Sequence, residues 1–130
     1  GDSFIDADLN AYASWFFEQE RQAALLLARV ADTRRFGSVN IGKDNVIVSF
    51  EEKSKIAGSG WINAGVYLLN RSLVGGIEQG NCCSLERDFF PKLAGKDLFG
   101  YCVERRFIDI GTPQSYAAAE HFFCSASKEA

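Results

Sequence analysis

Ala23-Ala24-Leu25-Leu26-Leu27-Ala28-Arg29-Val30 is almost continuously apolar, with no alternation of apolar and polar residues. A strand with one face in water alternates, whereas a strand covered on both faces does not. The run therefore predicts a buried strand in a parallel or mixed sheet with helices on each side. Upstream of it, Leu9, Tyr12, Ala13, Phe16 and Phe17 recur at helical spacing. Asp8 is placed to cap that helix, and Glu18-Gln19-Glu20-Arg21-Gln22 to end it. Downstream, the β-rich runs 36–41 and 46–50 flank Gly42-Lys43-Asp44-Asn45 and predict a hairpin. Residues 61–69 form a second long apolar strand, expected beside 23–30 at the centre of the sheet, with Asn63 and Gly65 embedded in it.

The second half continues the pattern. A short helix over 70–76 frays at its glycines, and Ser84 caps a helix carrying Leu85, Phe89 and Leu93 that Pro91 must kink or end. Strands follow at 98–103 and 107–110. Thr112 then serves as N-cap of a last helix, with Pro113 at its first position, where a missing N–H costs nothing. Tyr116, Ala119 and Phe123 are its predicted packing face, and 125–130 a polar tail. The order helix, strand, hairpin, strand, helices, strand pair, helix predicts an α/β fold with a mixed, mostly parallel sheet flanked by helices.

At 130 residues, 47% hydrophobic and 24% charged, the chain has the composition of one globular domain. A net charge of −3 argues against a nucleic-acid partner. No apolar run reaches membrane-spanning length, so no membrane partner is expected. Cys82, Cys83, Cys102 and Cys124 include no Cys-x-x-Cys pair, and reduced thiols in a cytoplasmic protein are the expectation. Cys102, in an apolar strand, reads as a small hydrophobe. Met is absent, so Gly1 is expected to follow processing or trimming, or to lie inside a longer protein.

Chemistry is concentrated at strand ends, in Asp2 with Asp6 and Asp8, in Glu51-Glu52-Lys53, and in Asp109. Asp109 is the one charge leaving an apolar strand, and strand exits are where open α/β sheets bind ligands. A salt bridge or a helix cap accounts for it equally well. Glu52-Lys53 reads as a solvated pair, and Gly65 as a bulge or a close backbone approach to a helix or a ligand. His121, among Ala and Phe on the last helix, reads as structural. There is no Gly-x-Gly-x-x-Gly and no Walker loop. Two converging carboxylates would favour Mg²⁺, which keeps waters and substrate phosphates as its other ligands.

Six segments complete the reading: Gly1-Asp2-Ser3, Arg35-Phe36-Gly37, Phe50-Glu51-Glu52-Lys53, Asn63-Ala64-Gly65-Val66-Tyr67, Ser84-Leu85-Glu86, and Phe107-Ile108-Asp109-Ile110-Gly111-Thr112-Pro113. In this order they resemble the sugar-1-phosphate nucleotidylyltransferases, most closely the branch that makes GDP-mannose-type and GDP-heptose sugars. The resemblance implies a nucleotide-diphospho-sugar transferase-like fold, with 1–124 as its C-terminal, sugar-binding half. It implies Asp2 and Asp109 as ligands of Mg²⁺, and Gly37 as a backbone contact to the sugar. Glu52 would hold sugar hydroxyls, Lys53 would be the cation near the sugar phosphate, and Asn63 and Gly65 would form part of the pocket wall. The implied reaction joins a sugar 1-phosphate to a nucleoside triphosphate and releases pyrophosphate. The family's Gly-x-Gly-Thr-Arg loop and later Pro-Lys are not among these 130 residues. The expectation is therefore a chain inactive by itself, with nucleoside triphosphate bound only when the nucleotide half is supplied. An uncovered sheet edge would also favour a homo-oligomer, the alternative being a non-catalytic assembly module of the same fold.

Overall fold

In the computed structural model, which describes residues 1–53 and 55–126, the strand β2 (Ala23–Val30) is inaccessible along Ala23 to Ala28. Its alternate residues divide two apolar layers. Ala24, Leu26 and Ala28 face Tyr12 and Phe16 of the helix α1 (Leu9–Glu18), with Ile62 and Ala64. Ala23, Leu25 and Leu27 face Val39, Ile47, Phe90 and Leu98. Each fully buried leucine contributes roughly 1.5–3 kcal/mol, so this one strand anchors the packing on both sides.

The other strands are β1 (Ser3–Ile5), β3 (Ser38–Ile41), β4 (Ile47–Glu51), β5 (Gly60–Leu69), β6 (Leu98–Val103) and β7 (Phe107–Asp109). They group as β5-β2-β6, the hairpin β3-β4 and the ribbon β1-β7. The α/β class with a mixed sheet is as expected, but the parallel share is smaller: β2 pairs β6 in parallel, while β2–β5, β3–β4 and β1–β7 are antiparallel. A parallel neighbour requires a crossover connection. Here β6 reaches β2 only after the helices α2 (Arg71–Gly75) and α3 (Phe90–Leu93). Of the two long apolar strands, β2 is central in its group and β5 flanks it.

Local signals held where short-range chemistry decides. Asp8 Oδ1 accepts the amides of Asn10 and Ala11, both at 3.0 Å. Thr112 Oγ1 accepts the Ser115 amide at 3.2 Å while Ser115 Oγ accepts the Thr112 amide at 3.1 Å, a reciprocal cap for α4 (Pro113–Ala126). Ser84 caps as expected, but the turn behind it, Leu85–Phe89, is π-helical, and Pro91 falls in the first turn of α3. The exposed faces differ from the periodic reading: Leu9 and Phe17 on α1 and Tyr116 on α4 lie in solvent. The helix α4 extends through Ala126, and the rest of the expected tail, 127–130, lies outside the described residues. Among the described residues, no helix is long and apolar enough to cross a membrane.

The pairing of β2 with β5 slips between Leu25, opposite Tyr67, and Leu27, opposite Asn63. Ala64, Gly65 and Val66 thus form a bulge. The Tyr12 hydroxyl donates to the Ala24 carbonyl at 2.9 Å and lies 3.4 Å from the Val66 carbonyl, next to that bulge. Burial raises the Tyr12 pKa far above the ordinary phenol range, so the group stays a donor. Tyr12→Phe is expected to cost about 1–3 kcal/mol in urea unfolding with an unchanged denaturant slope. A loss below about 0.5 kcal/mol would show that the hydroxyl does not hold the bulge.

Candidate active site

The site begins at the β1–β7 ribbon, in which Ser3 pairs with Asp109, Phe4 with Ile108 and Ile5 with Phe107. The Ile110 amide donates to the Asp2 carbonyl at 2.7 Å, extending the pairing by one step. Phe4 packs against Phe122 and Phe123 of α4, at ring separations of 6.0 and 5.0 Å. This ribbon brings residues from the two ends of the chain together.

Asp109 is the most heavily coordinated of its carboxylates. Its Oδ1 accepts Arg35 Nη2 at 2.9 Å and the Gly111 amide at 3.1 Å, and its Oδ2 accepts Ser3 Oγ at 3.2 Å. The Asp109 side chain is 18% exposed and that of Arg35 48%, so the ion pair is partly screened. A Cβ at Gly111 would stand 3.0 Å from Asp109 Oδ1 and 3.1 Å from Asp2 Oδ2. The absence of a side chain there is what lets two carboxylates share one space.

From Asp2 a cleft of about 440 Å³ passes along β1 to the bulge of β5, reaching Gly65, Tyr67 and Glu86. At its far wall Asn63 Nδ2 donates to the Tyr67 hydroxyl, and that hydroxyl donates to Glu86 Oε1, both at 2.8 Å. Asn63 Oδ1 accepts the Gly65 amide at 2.8 Å, which fixes Gly65 at φ +82°. Burial pushes the Tyr67 phenol up to about 12, keeping it a donor at neutral pH. The Tyr67 hydrogen bond in turn holds Glu86 below the usual carboxylate range. The wall therefore ends in an ionised acceptor suited to hydroxyl groups.

Asp2 and Asp109 meet at Gly111, Asp2 and Gly65 line the cleft, and Asn63 reaches it through Tyr67. Gly37, Glu52 and Lys53 do not line it. They lie beyond Arg35, where the 33–37 turn folds the Phe36 and Gly37 amides onto the Thr33 carbonyl. Gly37 has a local reason to be glycine: its φ is +74°, and a Cβ would come within 2.7 Å of the Glu51 carbonyl oxygen. Glu52 and Lys53 are exposed beyond β4 and make no hydrogen bond or ion pair among the described residues. Sequence reasoning gave no role to Arg35, Tyr67 or Glu86. All three stand inside quoted segments, but their contacts span long stretches of chain and leave no local pattern.

The sequence profile of the family described as Nucleotidyl transferase matches residues 1–126. The chain belongs to the nucleotidyl transferase family. It is 33% identical over 119 residues to mannose-1-phosphate guanylyltransferase of Mycobacterium tuberculosis, covering 89% of this chain and 33% of that protein. To D-glycero-alpha-D-manno-heptose 1-phosphate guanylyltransferase of Campylobacter jejuni it is 32% identical over 117 residues, covering 89% and 50%. The crystal structure of HddC from Yersinia pseudotuberculosis superposes with a TM-score of 0.80 at 29% identity, over 94% of this chain and 52% of that one. The chain thus spans between a third and about half the length of these nucleotidyl transferases.

Two of the positive-φ glycines of this nucleotidyl transferase chain, Gly65 and Gly37, should respond differently to alanine. A Cβ at Gly65 meets nothing within 4 Å, so Gly65→Ala carries only the backbone penalty of about 1–2 kcal/mol. Gly37→Ala adds a clash with backbone and is expected to cost clearly more. Equal losses in urea unfolding would contradict the close approach at Glu51.

Proposed function

We propose that this chain forms the sugar-phosphate and metal side of a sugar-1-phosphate guanylyltransferase. The observation that carries the reading is the convergence of Asp2 and Asp109 on the space left open at Gly111, at the mouth of a cleft ending in Glu86. Two carboxylates are what Mg²⁺ asks of a protein when phosphates and waters complete its shell. Asp2 and Asp109 would hold Mg²⁺, and the bound ion would neutralise phosphate charge during displacement at phosphorus.

The chain's own residues do the positioning. Arg35, released from Asp109 as the carboxylate takes up a cation, is placed to meet a phosphate, and Lys53 beyond it adds a second cation. The Glu86 carboxylate accepts from sugar hydroxyls along the cleft, and Gly65 with Asn63 forms its wall; Glu52 and Gly37, outside the cleft, keep the sugar-contact roles that the family resemblance implies. In the reaction, an oxygen of the sugar 1-phosphate attacks the α-phosphorus of the nucleoside triphosphate and pyrophosphate leaves, with no covalent enzyme intermediate. Guanosine triphosphate is favoured by the guanylyltransferase relatives and by the complex of HddC with GMP-PN, which superposes on this chain with a TM-score of 0.78 at 30% identity. The nucleotide side has no Gly-rich phosphate loop in these 130 residues, so the chain alone would bind sugar 1-phosphate without turning it over.

A second reading, a self-associating assembly module, is favoured by the apolar side chains exposed around the ribbon and α4, namely Phe4, Tyr116 and Phe123. Sedimentation decides this reading, and a monomer across the micromolar range would count against it.

Calorimetry with mannose 1-phosphate and Mg²⁺ tests the first reading. Gly111→Ala should weaken Mg²⁺-dependent binding at least tenfold, because the new methyl pushes the carboxylates apart. Unchanged affinity would remove the shared site. In a pyrophosphate-release assay with GTP, mannose 1-phosphate and Mg²⁺, the 130-residue chain is expected to be silent, and robust turnover would contradict its dependence on further residues.

A further inference from the structure

We propose that Cys82 and Cys83 form a redox-sensitive site, a thiol pair that closes to a disulfide on exposure to a peroxide and so moves Glu86, the hydroxyl acceptor of the carboxylate cleft. The two thiols are neighbours in the chain, and both are free and exposed. Both line an open cleft of about 480 Å³ together with Asp88, Phe89 and Lys92, so a small oxidant reaches them from solvent. No residue of this cleft lines the one that runs from Asp2 to Glu86. The regulation rests on the sugar role proposed for Glu86, whereas the disulfide and the movement of Glu86 do not.

The coupling runs through Ser84, which follows Cys83 and holds the π-helical turn Leu85–Phe89. Its amide donates to Asp88 Oδ2 at 2.8 Å, and its carbonyl accepts the Asp88 and Phe89 amides at 2.9 and 3.3 Å. Its hydroxyl accepts the Arg87 amide and donates to Glu86 Oε2, both at 3.3 Å. Cys83 Sγ lies 3.9 Å from the same Ser84 carbonyl oxygen. Glu86 is therefore held at one oxygen by Ser84 and at the other by the Tyr67 hydroxyl. Single π-helical turns are rare and concentrate at functional sites.

Neighbouring Cα atoms stand about 3.8 Å apart across a trans peptide, whereas those of bridged cysteines usually stand about 4.4–6.8 Å apart. A bridge between neighbours is therefore short and has to turn the peptide that joins them. Upstream, residues 76–84 have no helix or strand of their own to resist that turn. Downstream, Ser84 takes it up directly. Strain and exposure also make such a disulfide easy to reduce again, as a switch requires. In the oxidation, one thiolate attacks a peroxide oxygen, the O–O bond breaks, hydroxide leaves as water with the thiol's proton, and a sulfenic acid forms. The neighbouring thiol attacks that sulfur, the S–S bond forms and a second water leaves. The two sulfurs give up two electrons and two protons in all, and a thiol reductant such as glutathione returns them.

Mass spectrometry of the 130-residue chain after treatment with hydrogen peroxide tests the chemistry. Trypsin should release residues 72–87, which hold both thiols and no internal Lys or Arg, as a peptide lighter by two hydrogens. That peptide should resist N-ethylmaleimide until dithiothreitol is added. Carbon-13 magnetic resonance of the Glu86 carboxyl tests the coupling. In the reduced chain the Tyr67 hydrogen bond holds this group below the usual carboxylate range, so oxidation should shift its signal and raise its pKa, reversibly. Oxidation should also weaken mannose 1-phosphate binding at least tenfold, and Cys82→Ser should bind as the unmodified chain does while losing every response to peroxide. Sulfinic acids or bridges between copies in place of the internal disulfide, or an internal disulfide that leaves the Glu86 signal where it was, would overturn the proposal. A reduced chain that binds no mannose 1-phosphate would instead remove the sugar role, with the Glu86 signal still deciding the switch.

Discussion

A three-residue antiparallel ribbon holds the candidate site together. Its last link is the 2.7 Å hydrogen bond from the Ile110 amide to the Asp2 carbonyl, one step beyond the Ser3–Asp109 pair. Two- and three-residue pairings are marginal alone. This one is supported by Phe4 against α4 and by the T-shaped contact of Phe107 with Phe36, 5.7 Å between centroids. Ile5, Phe36 and Phe107 also pack against the layer of Tyr12, Phe16, Ala24, Leu26 and Ala28, so the ribbon is seated on one face of the core.

The bulge in β5 connects the cleft to that core. It interrupts a strand packed against β2, and the interruption delivers Gly65 and Tyr67 to the cleft. Tyr12 supplies a donor to carbonyls beside it from within the core. The far wall of the cleft therefore inherits the rigidity of the best-buried part of the molecule, while the near wall depends on the ribbon. Arg35 sits between the near wall and the Gly37 turn, paired with Asp109 and resting 5.1 Å from the Phe36 ring. Its Nη2 donates to Asp109 Oδ1 at 2.9 Å.

Much of the fold was legible because its causes are local. The unbroken apolar run of β2, the Asp8 and Thr112 caps, and the Gly42–Asn45 turn each depend on neighbours a few residues away. The periodic faces of α1 and α4 were read too broadly: spacing shows which residues could share a face, but Leu9, Phe17 and Tyr116 remain more than half exposed. Asp2 and Asp109 became a pair only through family resemblance, since their meeting depends on a ribbon that joins distant parts of the chain. The gap between Glu52-Lys53 and the cleft was hidden for the same reason, as was the partnership of Tyr67 with Glu86. Gly65 could be read as a bulge or a ligand contact, and the structure makes it the first while placing it beside the cleft.

The central claim is that Asp2 and Asp109 act as one divalent-cation site. Electron paramagnetic resonance titration with Mn²⁺, a spectroscopic substitute for Mg²⁺, tests it through Asp2→Asn, Asp109→Asn and the double variant. One site should be lost at least tenfold in affinity, about 1.4 kcal/mol, in each single variant, with little further loss in the double because both removals disable the same site. Single variants that bind Mn²⁺ like the unmodified chain, or losses that simply add, would show that the two carboxylates do not share an ion.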